Sequence, residues 1–406
     1  MSISRRGFVA GAAAVTLGRV APLHGFQAGE AAVSQEIPAG FDPWIEVDVA
    51  ALRHNVGVVS ALSGNRPILA VIKNNGYGLG VTQVAVATEA LPEIAGFAVV
   101  KAEAALRLRD AGITKPVLLM ALFDDETGAE LASRGVSLAL TTDDGGERLA
   151  RATRRAGRAV TCHAYLDTGM SRMGVPYHRA SEWLRTLSAS GIRLQGVFTG
   201  FTEDADFDPE QLRRFLQVTD EAASAGVEVG RRHAASSNGV FHLPDAHLDM
   251  VRPGIALFGA YPSDWEAERQ IAELTPAMRL RARVVRVERL RPGDGVSYGR
   301  NYVADRPTWI ATIPVGHTDG YPRQAVNGAQ VLINSKLYPV IGAVSASHTI
   351  IEVGAEQSVH IGDEVTLLGP DHPAIGPNAI AAATGRSVYD VLMHLNPALP
   401  RIMVRG

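Results

Sequence analysis

A single cysteine, Cys162, among 406 residues leaves no partner for an intrachain disulfide, and no Cys/His spacing resembles a zinc site. Neither staples nor a metal is expected. The chain also lacks a basic block: 39 Lys+Arg stand against 42 Asp+Glu, for a net charge of −3, so the clustered cationic face that nucleic-acid phosphates require is missing. No apolar run is long enough to span a bilayer; residues 10–20 are too few and too rich in Gly and Ala. The 41 glycines follow no period, which excludes a collagen-like chain, and a hydrophobic content of 46% excludes disorder. What remains is ordinary globular material with ample apolar residues for a large core, at a length that suggests two domains.

Residues 1–40 read differently from the rest. Ser4-Arg5-Arg6-Gly7-Phe8-Val9 leads into the small apolar run and resembles a twin-arginine export signal, although Arg19 interrupts the run and no clean A-x-A site follows. The segment is expected to be an export signal and linker of a periplasmic protein; otherwise the chain is cytoplasmic. That route carries folded proteins, which suits a chain that loads a cofactor before export.

From Trp44 the pattern alternates short apolar runs with amphipathic stretches. After a strand-like opening at 44–49, apolar runs fall at 67–72, 95–100, 116–121, 136–141, 160–166, 194–199, 227–232 and 248–252. Helical stretches follow the first seven, for example 102–111, 143–156, and 209–225 behind a capping Asp208. Eight β/α units over about 230 residues match a TIM-type (β/α)8 barrel, assigned to 44–274. A doubly wound sheet fits the same alternation, since periodicity does not show closure. From 275 to 406 long alternating runs and Gly/Pro/Asp turns replace the β/α grammar. Strand candidates at 278–290, 308–314, 329–333, 338–342, 349–353 and 364–368 indicate a mostly β second domain, closed by a helix at 387–395 and a strand at 401–404.

In a barrel, chemistry sits where strands end. The first barrel run ends in Lys73-Asn74-Asn75-Gly76-Tyr77-Gly78. A lysine there is usually a solvated flank, but at a barrel mouth a partly desolvated lysine can form a Schiff base with an aldehyde cofactor. The fifth run ends in Asp167-Thr168-Gly169-Met170-Ser171-Arg172-Met173-Gly174, where Arg172 could fork onto a carboxylate or simply face solvent. His233-Ala234-Ala235-Ser236-Ser237-Asn238 and Arg252-Pro253-Gly254-Ile255 follow the seventh and eighth runs, where this fold often binds phosphate. A lysine facing a phosphate site suggests pyridoxal phosphate (PLP).

These segments, with Asp249-Met250-Val251-Arg252, Gly295-Val296-Ser297-Tyr298-Gly299 and Gly316-His317-Thr318-Asp319-Gly320-Tyr321, resemble the ordered motif series of the alanine racemase family. The resemblance runs from Trp44 to Arg401. It implies a PLP enzyme that interconverts L- and D-alanine, working as a homodimer in which the β domain of one subunit completes the other's site. By position, Lys73 would hold PLP and act as one base, with Tyr298 the base on the opposite face. Arg252 would face the pyridine nitrogen. Ser237, Gly254, Ile255 and Tyr389 would hold the phosphate, Tyr77 would line the cofactor, and Arg172 with Ala346 would bind the amino acid.

The departures are equally specific. Tyr165 stands where the family has a lysine or asparagine beside the substrate arginine, and Gly200 where a histidine stacks on the pyridine. Ser345-Ala346-Ser347-His348 replaces Cys-Met-Asp-Gln; Leu79 replaces a histidine and His317 a tyrosine. With the supporting groups so altered, a broad-specificity amino-acid racemase and a PLP-binding homologue without turnover stand as alternatives. The string Gly295-Val296-Ser297-Tyr298-Gly299 also matches the nucleophile elbow of hydrolases. That motif needs a strand before the serine and a helix after it, and the prolines at 292 and 307 oppose both.

Overall fold

The structure, a computed structural model, describes residues 36–404; the proposed export segment falls largely outside them. Seven parallel strands follow one another in chain order: Ile68–Val71, Ile94–Val99, Val117–Leu119, Ser137–Leu140, Cys162–Asp167, Leu194–Phe198 and Arg231–His233. The ring closes through an eighth position of only two residues, Met250 bridging to His233 and Val251 to Ile68. Its backbone bonds include Leu69 N–H to Val251 O at 2.9 Å and Val251 N–H to Pro67 O at 3.0 Å. Closure selects the barrel over the doubly wound sheet. The eighth strand is short because Pro253 has no N–H to continue the ladder; its carbonyl still accepts from Val71 N at 2.9 Å.

The strands read as continuous apolar runs because both faces are covered. Leu69, Val71, Ala98, Leu118, Ala139, Tyr165, Phe198 and Met250 point inward and form their own cluster. The alternate residues, such as Ile68, Ala70 and Ile72, pack outward in the main core. Helix starts follow capping chemistry: Asp48 accepts from Ala51 N at 3.0 Å, and Asp124 from Glu126 N and Thr127 N. Asp208 does not cap its helix. It is the first residue of Asp208–Ser224, and its carboxylate accepts from Thr202 Oγ1 at 3.0 Å while Asp204 caps the preceding turn.

The second domain is a nine-stranded sheet. The run at 278–290 is two strands, Met278–Arg283 and Arg286–Leu290, with a break between them where the chain passes from one part of the sheet to another. The opening strand Trp44–Asp48 also lies in this sheet, antiparallel to Met278–Arg283 and parallel to Arg401–Val404. The unit expected over 44–274 therefore contributes its first strand to the sheet of the second. Charge supports the pairing: Glu46 is buried, and among the described residues its cations are Arg281, at 3.1 Å, and Arg279, both on Met278–Arg283. The helix Val388–Met393 docks on the barrel mouth. Arg401 donates to Gly78 O at 2.8 and 3.1 Å, and Asn74 Nδ2 lies 3.0 Å from Met393 Sδ.

Candidate active site

Above the inward layer opens a cavity of about 640 Å³. Lys73, Tyr77, Arg172, Ser237, Arg252, Gly254, Ile255 and Tyr389 all line it, although they come from five separate stretches of chain. Lys73 leaves the end of strand Ile68–Val71 through a left-handed turn: Asn74, Asn75, Gly76 and Tyr77 have φ of 52, 56, 58 and 51°. Asparagine and glycine tolerate that region, whereas Tyr77 is strained there, and strain of this kind collects at functional sites. The turn delivers Lys73 and Tyr77 into the same cavity. Burial lowers the Lys73 amine below its ordinary value and Arg172 adds to this, while Glu203 opposes it.

The loop that carries Arg172 is shaped by Asp167, whose Oδ1 accepts from Gly169 N and Ser171 N, both at 3.0 Å. Arg172 itself is exposed, and its guanidinium has no ion pair among the described residues. Arg252 is the opposite case. It is buried, and its Nη1 donates to His233 O at 2.6 Å and His233 Nδ1 at 3.1 Å; Nη2 donates to Thr199 O at 2.6 Å and Ala234 O at 3.3 Å. A guanidinium has five N–H donors, so four are used and Nε–H remains. Burial pulls Arg252 down to about 10, with Tyr165 opposing, so it is still a cation at neutral pH.

Because Arg252 can only donate, His233 Nδ1 must accept. Its Nε2 then carries the hydrogen and donates to His163 Nδ1 at 2.9 Å. Both rings are neutral: burial pushes His163 down to about 4 and His233 well below the ordinary range.

Ser237 Oγ accepts from Gly254 N at 3.0 Å and Ala256 N at 3.2 Å, which leaves its own hydrogen free to donate. A Cβ at Gly254 would overlap the Tyr77 hydroxyl, so only glycine permits that close approach. The Tyr77 and Tyr389 hydroxyls have no hydrogen-bond partner among the described residues, and their rings lie 6.4 Å apart. Burial raises both phenols well above their ordinary value, so they stay protonated donors. Three hydroxyl donors thus converge near a glycine cradle. The same cavity is lined by a desolvated lysine and a buried arginine with one spare N–H.

Tyr298 and Ala346 are not among the residues lining this cavity. Tyr298 is 75% exposed, on a turn between the two-residue strands Gly295–Val296 and Tyr302–Val303. Before it, Ser297 holds φ 58° and ψ −168°, a conformation nearly confined to glycine. Its Oγ donates to Ala343 O at 3.0 Å, and a 3-10 turn follows, so the hydrolase elbow is not formed. Ala346 is exposed, with its carbonyl accepting from Thr318 N at 3.1 Å. Glu203 lines the cavity without a place in the sequence reading, Tyr165 lines it at a position noted there only as a departure from the family, and the His163–His233 pair stands behind Arg252. Only the backbone could mark Glu203, a non-glycine residue at φ 64° on the cavity rim.

The family model described as Alanine racemase, N-terminal domain, matches residues 47–262, and Alanine racemase, C-terminal domain, matches 277–403. The chain belongs to the alanine racemase family. It is 36% identical over 369 residues to an alanine racemase of Desulfovibrio desulfuricans, covering 89% of this chain and 98% of that protein. With one of Carboxydothermus hydrogenoformans it is 34% identical over 366 residues, covering 89% and 99%. Among solved structures, the alanine racemase of D-cycloserine-producing Streptomyces lavendulae superposes with a TM-score of 0.84 at 29% identity, covering 91% of this chain and 98% of that one. The alanine racemase family uses pyridoxal phosphate, and this cavity fits it. The free hydroxyls and the Gly254 cradle suit a phosphate, the Arg252 Nε–H suits a ring nitrogen, and Lys73 suits an aldehyde.

Proposed function

We propose that this chain is a PLP-dependent alanine racemase that uses two bases, one of them supplied by a second subunit. The observation that carries this is the desolvated Lys73 in one cavity with the Arg252 guanidinium and the hydroxyls of Tyr77, Ser237 and Tyr389. When bound, pyridoxal phosphate takes up the electron pair left as the Cα–H bond breaks. Ser237, Tyr77 and Tyr389 would hold its phosphate as donors, and Arg252 would face its ring nitrogen with the unused Nε–H. Arg252 is cationic and yields no proton at neutral pH, so it would leave that nitrogen unprotonated and favour return of the proton at Cα. Arg172, without an ion pair among the described residues, forks onto the substrate carboxylate and fixes Cα against Lys73.

Inversion needs a proton removed on one face and returned on the other. The lowered pKa makes the Lys73 amine a usable base on its face. The phenol of Tyr298 serves the other face, but in the cavity of a second copy. Its 75% exposure and the strained Ser297 that presents it support a role outside its own chain. Ala346 reaches the substrate by the same route. The Ser4-Arg5-Arg6 segment supports export, which fractionation of tagged full-length and Arg5/Arg6-substituted chains would test.

Mixing tests the shared site. Lys73→Ala and Tyr298→Phe homodimers should each be inactive as racemases, whereas mixed dimers carry one intact site and recover activity. Tyr298→Phe should still exchange the α-hydrogen of one enantiomer in deuterated water. Absence of recovery in isolated mixed dimers would refute the shared site, and two-way turnover by Tyr298→Phe would refute the two-base assignment.

A further inference from the structure

Tyr165 is a buried residue of the barrel that the catalytic reading leaves unused. It sits at the C-terminal end of strand Cys162–Asp167, in register with Phe198 on the next strand, which is in register with His233 on the one after. The three rings form one layer. Tyr165 stacks on Phe198 with centroids 4.3 Å apart, and Phe198 stacks on His233 at 5.1 Å. Arg252 lies 5.1 Å over the Phe198 ring. Tyr165 is 7% exposed and its remaining surface lines the cavity, where its hydroxyl has no protein partner among the described residues.

The residue beside its hydroxyl, Gly200, carries no side chain. A Cβ built on Gly200 would come within 3.3 Å of the Tyr165 hydroxyl and 3.8 Å of Met170 Sδ, so anything larger than alanine there would collide with the phenol. Gly200 and Tyr165 are therefore one unit, the glycine giving up the volume that the phenol occupies.

We propose that Tyr165 is the aromatic wall for the cofactor ring: the planar ring packs against the phenol, which can stand at the cavity wall because Gly200 leaves it that volume. A flat, partly desolvated aromatic face beside a cation suits a planar heteroaromatic ring with one polar edge. This rests on the PLP reading of the site. The stack on Phe198 presets the orientation of the phenol, so its ordering costs little on binding.

The test is cofactor affinity, measured by titrating stripped protein with PLP and following cofactor absorbance and quenching of protein fluorescence. Apo-protein melting temperatures serve as the fold control. Tyr165→Phe keeps the stack and should bind within about threefold of wild type. Tyr165→Leu keeps bulk but not planarity and should bind about tenfold more weakly. Gly200→Phe alone should weaken binding by collision, and Tyr165→Ala alone by removing the wall. The double variant Tyr165→Ala/Gly200→Phe, which moves an aromatic ring to the other position, should bind more tightly than either. Affinity for Tyr165→Leu within twofold of wild type, or a double variant no better than its weaker parent, would overturn the wall assignment. If the Ala variants do not fold, Tyr165→Leu and Gly200→Phe decide alone. Failure of stripped wild-type protein to take up PLP would overturn the PLP reading itself and the wall with it.

Discussion

Acidification from pH 7 to pH 5 should destabilise this protein through His163, and the size of the effect follows from its surroundings. The ring is 5% exposed, is neutral, and accepts at Nδ1 from His233, which in turn accepts from Arg252. Burial is the main reason its pKa falls to about 4, with the charges of Arg252 and Arg231 adding and a bond to Gln195 opposing. In the unfolded chain histidine titrates near 6.5. Between those values the unfolded state binds more protons than the folded one, so stability rises with pH through this window and is lost as pH falls from 6.5 towards 4. The gap corresponds to about 3 kcal/mol at 1.36 kcal/mol per pH unit, of which about 2 kcal/mol is gone by pH 5. His233 has the same sign. The raised carboxyls of Glu203 and Asp208 have the opposite sign, so wild type alone does not isolate the term. The assay is urea unfolding of PLP-free protein at one concentration, at pH 7 and pH 5, for wild type and His163→Gln. Wild type should lose about 2 kcal/mol more than the variant over that interval. Equal losses in the two proteins would refute the buried neutral tautomer chain.

Borohydride reduction of PLP-loaded protein should leave the cofactor on the peptide containing Lys73, and Lys73→Ala should carry no adduct; an adduct elsewhere rejects the assignment. Gly254→Ala should weaken PLP binding by about tenfold or more, because its methyl group displaces the Tyr77 hydroxyl, an overpacking cost of about 1–3 kcal/mol. Titration against cofactor fluorescence reads this directly, and unchanged affinity would show that the cradle does not hold the phosphate. Substrate range should extend beyond alanine, since Ala346 and His317 stand where the family resemblance places a methionine and a tyrosine. A pocket discriminates one methylene by only about 1–3 kcal/mol, so serine, methionine or lysine should turn over measurably. A kcat/KM preference for alanine of several orders of magnitude over all of them would end that expectation.

Much of the cavity lining was legible in the chain because residues at strand ends gather at one barrel mouth. Lys73, Arg172, Ser237 and Arg252 each follow an apolar run, and period-2 burial made the β domain readable, as in Met278–Arg283 with alternate residues buried. Boundaries were less so. The run at 227–232 resolves into a strand at Arg231–His233, and the helix Pro377–Thr384 was not anticipated, because its alanine-rich stretch has little amphipathic contrast.

Sequence by itself determined the order of elements, the residues at the strand ends and the loop chemistry around them, since these depend on spacing and on local backbone preference. Tertiary structure decided barrel closure, which rests on the backbone bridges from Val251 to Ile68 and from Met250 to His233 between residues far apart in the chain. It also decided that Trp44–Asp48 belongs to the second domain, because the cations that satisfy buried Glu46 lie more than two hundred residues away. Most of all it decided the hydrogen order from Arg252 through His233 to His163, and the space between Gly200 and Tyr165. Such facts have no sequence period to announce them: a donor chain and a shared volume exist only once strands at different places in the chain stand side by side.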